Sequence, residues 1–474
     1  MNIKGLELDR VFKPSSLALI GASRDQSKSG GMFLNSLLEG GFKGQIYPVT
    51  TNTQEIMGLK SYRSISDIPE EVDLAIITLP AQAVPQIIKE CADKKVHFAL
   101  IHSAGFGETG TEGKNIETDI LAITRGRDIR AIGPNTMGIY CPQAGLNNIL
   151  PWYCFPQEGG DVSFAGQSGW VCENFVLMGR ERGLRLNKVI DSGNELDLTT
   201  TDFLEYFATD PETRIMAVYI EGVKDGTEFR RQIKEINLRK PVIILKGGRT
   251  AAGSRTAASH TGSLTGSNSA FEAALKQSGV TMAQDIEELI DFSLGFTCPY
   301  MPSGNRLGII TDAGGAAVAA ADTCAREGLE VPETPQRIKK ELIKTISKLT
   351  PFTSSLGNPI DFIWPPLDDR GIHLSLQCIE LMSEFVDSLV IITFFLSIPD
   401  KELAARFIQQ VEQIRDKIKK PIMLVPGHST AQPDNLRAAT LNRTPVFPTP
   451  ERAVKAISTL VRRSDYLRET RNQH

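Results

Sequence analysis

The chain has no large charge imbalance, no CxxC-spaced cysteine pair and no long apolar run, and each absence removes a class of function. Its 52 basic and 56 acidic residues leave a net charge of -4, without the electrostatic footprint of a nucleic-acid or membrane-surface binder. No stretch approaches the roughly 20 apolar residues of a bilayer span. The first ten residues mix charged and apolar types and lack the apolar run of a secretory signal. These features predict a cytoplasmic protein with no nucleic-acid and no membrane partner. The seven cysteines (Cys91, Cys141, Cys154, Cys172, Cys298, Cys324 and Cys378) are odd in number and scattered. They predict reduced, buried small hydrophobes rather than a disulfide framework or a zinc site, and no metal site is expected. No internal repeat and no low-complexity tail is present.

What is present is a regular alternation of short apolar runs with longer amphipathic stretches over 474 residues. That length suggests about three domains at roughly 150 residues each. Apolar runs of strand length between helical stretches read as buried parallel strands, so the predicted class is α/β with doubly wound parallel sheets. A first set of strands is expected at residues 17–20, 45–48, 74–78, 98–101 and 130–132, a Rossmann-like series. A second is expected at 162–164, 188–191, 215–220 and 242–245, and a third at 307–311, 388–393, 422–425 and 446–448. Helices are expected at 400–419 and 451–462, and residues 147–160, with two prolines and two glycines, read as a connector.

The turn Gly21, Ala22, Ser23 and Arg24 leaves the first strand, and Ser29, Gly30 and Gly31 open the next helix. Glycine permits close approach of the backbone, and free N–H groups at a helix start favour a phosphate. The pattern is not G-x-G-x-x-G, and the second strand ends at Thr50, Thr51 and Asn52 without the acidic residue that would hold an NAD ribose. A dinucleotide, and with it an NAD-dependent oxidoreductase, is therefore disfavoured. Three further strand ends carry small or polar residues: Leu79 and Pro80; Ser103, Ala104, Gly105 and Phe106; Gly133, Pro134 and Asn135. Ligands bind at the carboxyl ends of strands in an open parallel sheet, so these loops are expected to line one cleft.

In the second set, Gln167, Ser168 and Gly169 form another candidate anion turn, and Glu221 follows the strand at 215–220. His260 stands apart among the six histidines because its neighbours are Gly, Ala, Ser and Thr. A phosphoryl-accepting histidine needs a neutral nucleophilic nitrogen, a carboxylate on the other nitrogen, and N–H groups to hold the phosphoryl oxygens. His260, Glu221 and the turn Gln167, Ser168 and Gly169 are candidates for those three roles.

Taken in order, residues 14–23, 133–135, 167–169, 219–226 and 258–263 resemble the nucleoside-diphosphate-forming acyl-CoA synthetases related to the alpha subunit of succinyl-CoA synthetase. The resemblance implies a Rossmann-like CoA-binding domain over residues 1–145 and two flavodoxin-like CoA-ligase domains over 158–298 and 303–470. It implies an acid–thiol ligase that interconverts acyl-CoA, ADP and phosphate with a small carboxylic acid, ATP and CoA, through an acyl phosphate and phosphorylated His260. Glu221 would steady the phosphohistidine, Ser168 and Gly169 would hold phosphate, and the strand-end loops with Asn52 would hold coenzyme A. ATP or ADP and Mg2+ would be bound mainly by a partner, an ATP-grasp beta subunit in an α2β2 assembly. The competing reading is a CoA-binding regulatory protein of the same fold without the phosphoryl relay. Two departures stand out: Thr53 and Gln54 follow Asn52 where the family has proline and often lysine, and residues 362–366 replace a run of small residues.

Overall fold

The strands Ser16–Ile20 and Leu74–Ile77 are buried at every position. Their side chains divide by parity: Leu17, Leu19, Leu74 and Ile76 enter one apolar cluster, and Ala18, Ile20, Ala75 and Ile77 enter another. Period-two alternation with both faces apolar is what a parallel strand covered by helices on both sides requires. Helix Val84–Asp93 buries Val84, Ile88 and Cys91, a spacing of one helical face.

The computed structural model describes residues 7–153, 155–255, 268–346, 355–363, 365–428 and 433–472 as mixed α/β structure with mainly parallel sheets. It separates into one unit of Met1–Leu177 with Arg185–Gln284 and another of Met178–Leu184 with Asp285–His474. In the first unit, one sheet runs Gln45–Val49, Ser16–Ile20, Leu74–Ile77, Phe98–Ile101 and Arg130–Ile132, all parallel. A second runs Thr281–Ala283, Val242–Lys246, Ile215–Ile220, Val162–Gly166 and Leu186–Asp191, also parallel. Onto its edge the hairpin Ile139–Cys141 and Leu146–Asn147 adds antiparallel, through Tyr140 opposite Val189. The sheet of the other unit places Ile360–Asp361, Leu307–Thr311, Ser388–Thr393 and Ile422–Pro426 in parallel order, with Ser355–Leu356 antiparallel at the edge.

All three parallel arrays are wound alike, with the first strand between the second and the third. The direction of winding reverses there, which leaves a crevice beyond the carboxyl ends of the first and third strands. In the first unit those crevices lie beyond Ile20 and Ile77, and beyond Gly166 and Ile220.

Differences from the sequence expectation lie at the edges of the elements. Residues 446–448 contribute a single bridge, Val446 to Leu424, in place of a strand. The last helix extends over Pro450–Asn472, well past residue 462. Phe362, part of the departure at 362–366, is fully buried in the apolar cluster of its own unit, and Trp364 lies outside the described residues. Six described cysteines are free and buried, and Cys154 lies outside the described residues. Among the described residues no helix is long and apolar enough to cross a membrane.

Candidate functional site

The first crevice is a cavity of about 650 Å³ lined by Gly21, Ala22, Ser23, Arg24, Asn52 and Leu79 together with Lys28, Thr50, Thr53 and Arg63. The turn that forms its floor is tight. Gly21 has φ +94°, and a Cβ on Gly30 would sit 2.1 Å from the Gly21 carbonyl oxygen, so the helix Ser29–Glu39 begins directly against the turn. No side chain caps that helix start. A helix start without a side-chain cap favours an anion through its macrodipole, and Lys28, the residue before it, lines the cavity. Arg24 is held in place by donating from Nη2 to Thr53 Oγ1 at 3.0 Å and to the Glu55 carbonyl at 2.9 Å. Arg24, Lys28 and Arg63 thus bring three cations, beside the carboxylates Asp25 and Glu90, to a cavity whose expected lysine after Asn52 is missing from the sequence.

The second crevice opens into a cavity of about 800 Å³ with a different lining: Ser168, Gly169, Glu173, Asp191, Glu221 and His102, with Ser103, Ala104, Asn135 and Trp170 at its sides. Gln167 ties its two strand ends together. Its side-chain oxygen accepts the N–H groups of Glu221 at 2.6 Å and Gly222 at 3.1 Å, and its amide nitrogen donates to the Gly222 carbonyl at 2.9 Å. The backbone N–H of Gln167 is itself bonded to the Tyr219 carbonyl. Of the predicted anion turn, Gln167 is therefore the clamp, while Ser168 and Gly169 lead into the helix Gly169–Glu181 and face the cavity.

Glu221 receives the Tyr219 hydroxyl on Oε1 at 3.1 Å, and Lys246 donates to the Glu221 carbonyl at 2.8 Å. Burial pushes the Lys246 ammonium below its ordinary pKa, with Glu221 opposing that shift. A Cβ on Gly247 would lie 2.4 Å from the Tyr219 hydroxyl, so the chain leaves Lys246 in close contact with this group. His260 lies outside the described residues. The chain on both sides of it is tied to Gly248, because Ser254 and Asn268 both donate to the Gly248 carbonyl, at 2.6 and 2.9 Å.

The second cavity holds two titratable groups that sequence reasoning did not single out. Asp191 is buried, and burial raises its pKa to about 7 although the N–H groups of Met137 and Gly193 donate to it. His102 at the end of Phe98–Ile101 is pushed below its ordinary pKa by burial, with its Nδ1 hydrogen bond to the Thr136 carbonyl opposing. Burial also raises Glu173. Sequence position held a signal for His102 and Asp191, since both stand at carboxyl ends of strands; Lys28 and Arg63 carry none until the fold gathers them.

The predicted site residues divide between the cavities. Gly21, Ala22, Ser23, Arg24, Asn52 and Leu79 line the first, and Ser103, Ala104, Asn135, Gln167, Ser168, Gly169 and Glu221 line the second. Pro80, Gly105, Phe106, Gly133 and Pro134 line neither. The Phe106 ring is fully buried, and the N–H groups of Gly105 and Phe106 donate to Glu108 Oε1 at 2.6 and 3.0 Å. Among the described residues no group of three or more His, Cys, Asp or Glu side chains is placed to hold a metal ion.

A CoA-binding domain family matches residues 15–142, and the succinyl-CoA ligase-like flavodoxin domain family matches residues 159–295. Over 461 residues the chain is 35% identical to the alpha subunit of ADP-forming acetate–CoA ligase II of Pyrococcus furiosus, covering 96% of this chain and 98% of that protein. It is likewise 35% identical to ADP-forming acetate–CoA ligase I of Archaeoglobus fulgidus, a match that takes 96% of this chain and 64% of that longer one. Among solved structures, acetyl-coenzyme A synthetase 1 of Ca. Korarchaeum cryptofilum, in complex with phosphate and ADP, matches with a TM-score of 0.83 at 32% identity. That match covers 98% of this chain and 99% of the other.

Proposed function

We propose, from the premise that the chain belongs to the family of ADP-forming acetate–CoA ligase alpha subunits, that it carries the CoA site and the phosphohistidine of such a ligase. The observation that carries this reading is the adjacency of two unlike cavities in one unit: a cation-bearing one at the Gly21 turn and one that joins the Ser168–Gly169 helix start to Glu221. Coenzyme A is a substrate of the ligase reaction, and its phosphates suit the helix start with Arg24, Lys28 and Arg63. A phosphate at Ser168 and Gly169 is held by N–H groups, next to a carboxylate able to orient an imidazole. Phosphate and an acyl-CoA yield an acyl phosphate; His260 takes the phosphoryl group as the acid departs, and ADP accepts it in turn. The tie of both flanking chains to Gly248, two residues beyond Lys246, supports the assignment of His260.

The three-domain division at 1–145, 158–298 and 303–470 belongs to the same proposal. So does a partner: relatives matched over 98% of their length are alpha subunits, which supports a beta subunit here, an ATP-grasp chain in an α2β2 assembly that holds ADP or ATP with Mg2+. Free, buried cysteines support a cytoplasmic setting. The acid is a small carboxylate, acetate by family. Incubating the chain, together with its beta subunit, with labelled ATP tests the relay. An acid-labile, base-stable phosphoprotein is expected, and it disappears in His260→Ala; persistent label in that variant removes His260 as the nucleophile.

A further inference from the structure

The two cavities meet along the chain at two points. The first takes in Lys28 and Leu79, and the second takes in their neighbours Ser29 and Thr78. Thr78 closes against the turn, since a Cβ on Gly21 would lie 2.5 Å from its hydroxyl oxygen. A coenzyme whose phosphates occupy the first cavity and whose thiol reacts in the second must pass this seam. The side chains on the far side are those of Ser29 and Thr78.

Ser29 is coupled to His102. The imidazole Nδ1 lies 2.7 Å from the Thr136 carbonyl oxygen and Nε2 lies 3.1 Å from Ser29 Oγ. A carbonyl oxygen only accepts, so Nδ1 carries the ring proton, and in the neutral ring Nε2 accepts from the Ser29 hydroxyl. The ring is fixed edge-on against Phe33 with centroids 4.7 Å apart. Burial favours its neutral form. The outcome is a hydroxyl whose proton points at a base, on a residue that lines the second cavity beside the seam.

We propose that Ser29 and His102 form a proton relay that accepts the thiol proton of coenzyme A during acyl transfer. This rests on the function proposed above and adds a step to it. As the sulfur attacks the acyl phosphate carbonyl, the S–H proton passes to Ser29 Oγ and the Ser29 proton passes to His102 Nε2. The C–S bond forms and the bond from carbonyl carbon to phosphate oxygen breaks. The departing phosphate recovers one proton by the reverse path and leaves as hydrogen phosphate, so the relay ends as it began. In the opposite direction hydrogen phosphate surrenders that proton to the relay, and the relay protonates the thiolate.

The other titratable side chains lining this cavity are Asp191, Glu173 and Glu221, with Lys28 just across the seam. Two partial reactions of the assembled enzyme isolate the relay: release of CoA from acetyl-CoA in phosphate, which needs it, and ATP formation from acetyl phosphate and ADP, which does not. His102→Gln is expected to lower the first by about 100-fold in kcat, within the span of general acid–base effects, with KM for acetyl-CoA unchanged and the second reaction intact. Its pH profile should lose the limb at which the wild-type thiol step falls in acid, a limb that Asp191→Asn should keep. Ser29→Ala leaves the ring in place and is expected to lower only the first reaction, by about tenfold. Equal loss in both reactions, an unchanged thiol step in either relay variant, or a limb that disappears with Asp191→Asn and survives His102→Gln would overturn the relay. A wild-type enzyme that performs neither reaction would instead overturn the function on which it rests.

Discussion

Two cavities in one unit, built by the same winding, differ in their charged lining. The first gathers Arg24, Lys28 and Arg63 against Asp25 and Glu90, while the second is lined by Asp191, Glu173 and Glu221 without a lysine or arginine. The difference in side chains separates holding from handing on. A cation-rich pocket retains a polyanion, and its attraction weakens with salt. A pocket that offers N–H groups amid carboxyls holds phosphate by direction more than by charge, which suits the proposed transfer to an imidazole.

The contrast can be broken from either side. The largest effect is expected from reversing the first cavity's charge: Arg24→Glu with Arg63→Glu should weaken CoA binding at least about 100-fold, since each charged hydrogen bond is worth about 1.5–3 kcal/mol. Titration calorimetry at low and high salt checks this, and phosphorylation by acetyl phosphate should be unaffected. Glu221→Gln should leave CoA binding intact and reduce phosphoenzyme formation by about 30-fold through loss of the charge that orients the imidazole. Single-turnover labelling reads this out, and unchanged labelling removes Glu221 from the mechanism. Gly169→Ala places a Cβ 2.3 Å from the Met137 side chain. It should displace the phosphate seat and reduce labelling by about tenfold, the scale of one lost oriented donor or less.

Asp191→Asn should change turnover least and sharpen the contrast through stability instead. The carboxyl is protonated in the folded chain up to about pH 7, against about 4 when unfolded. Its contribution is thus most favourable below about pH 4, declines as the pH rises from about 4 to about 7, and is level above that. Thermal unfolding of Asp191→Asn across that window should show a shallower decline than the parent; an identical slope would mean that the buried acid does not titrate there.

Much of the framework was legible because buried parallel strands spell themselves as apolar runs: 98–101, 130–132, 215–220, 307–311 and 388–393 coincide with the observed strands. The hairpin at 139–147 was not, since its short strands surround Pro142 and gain regularity only by pairing with Leu186–Asp191. The site was legible where a motif sits on one turn, as at Gly21 or Ser168, and obscure where the fold assembles it. Arg63 reaches its cavity from beyond a small hairpin, and His102 looks ordinary until Thr136 and Ser29 close on its two nitrogens. Phe106 shows the converse, a residue in a glycine loop whose ring belongs to the core.

The Gln167 amide has a mechanical consequence. With three hydrogen bonds it spans the ends of two neighbouring strands, and so fixes the spacing between the Ser168–Gly169 turn and Glu221. A gap set by one side chain of fixed length behaves as a gauge block. Sequence drift in the surrounding loops is expected to leave the width of that gap unchanged.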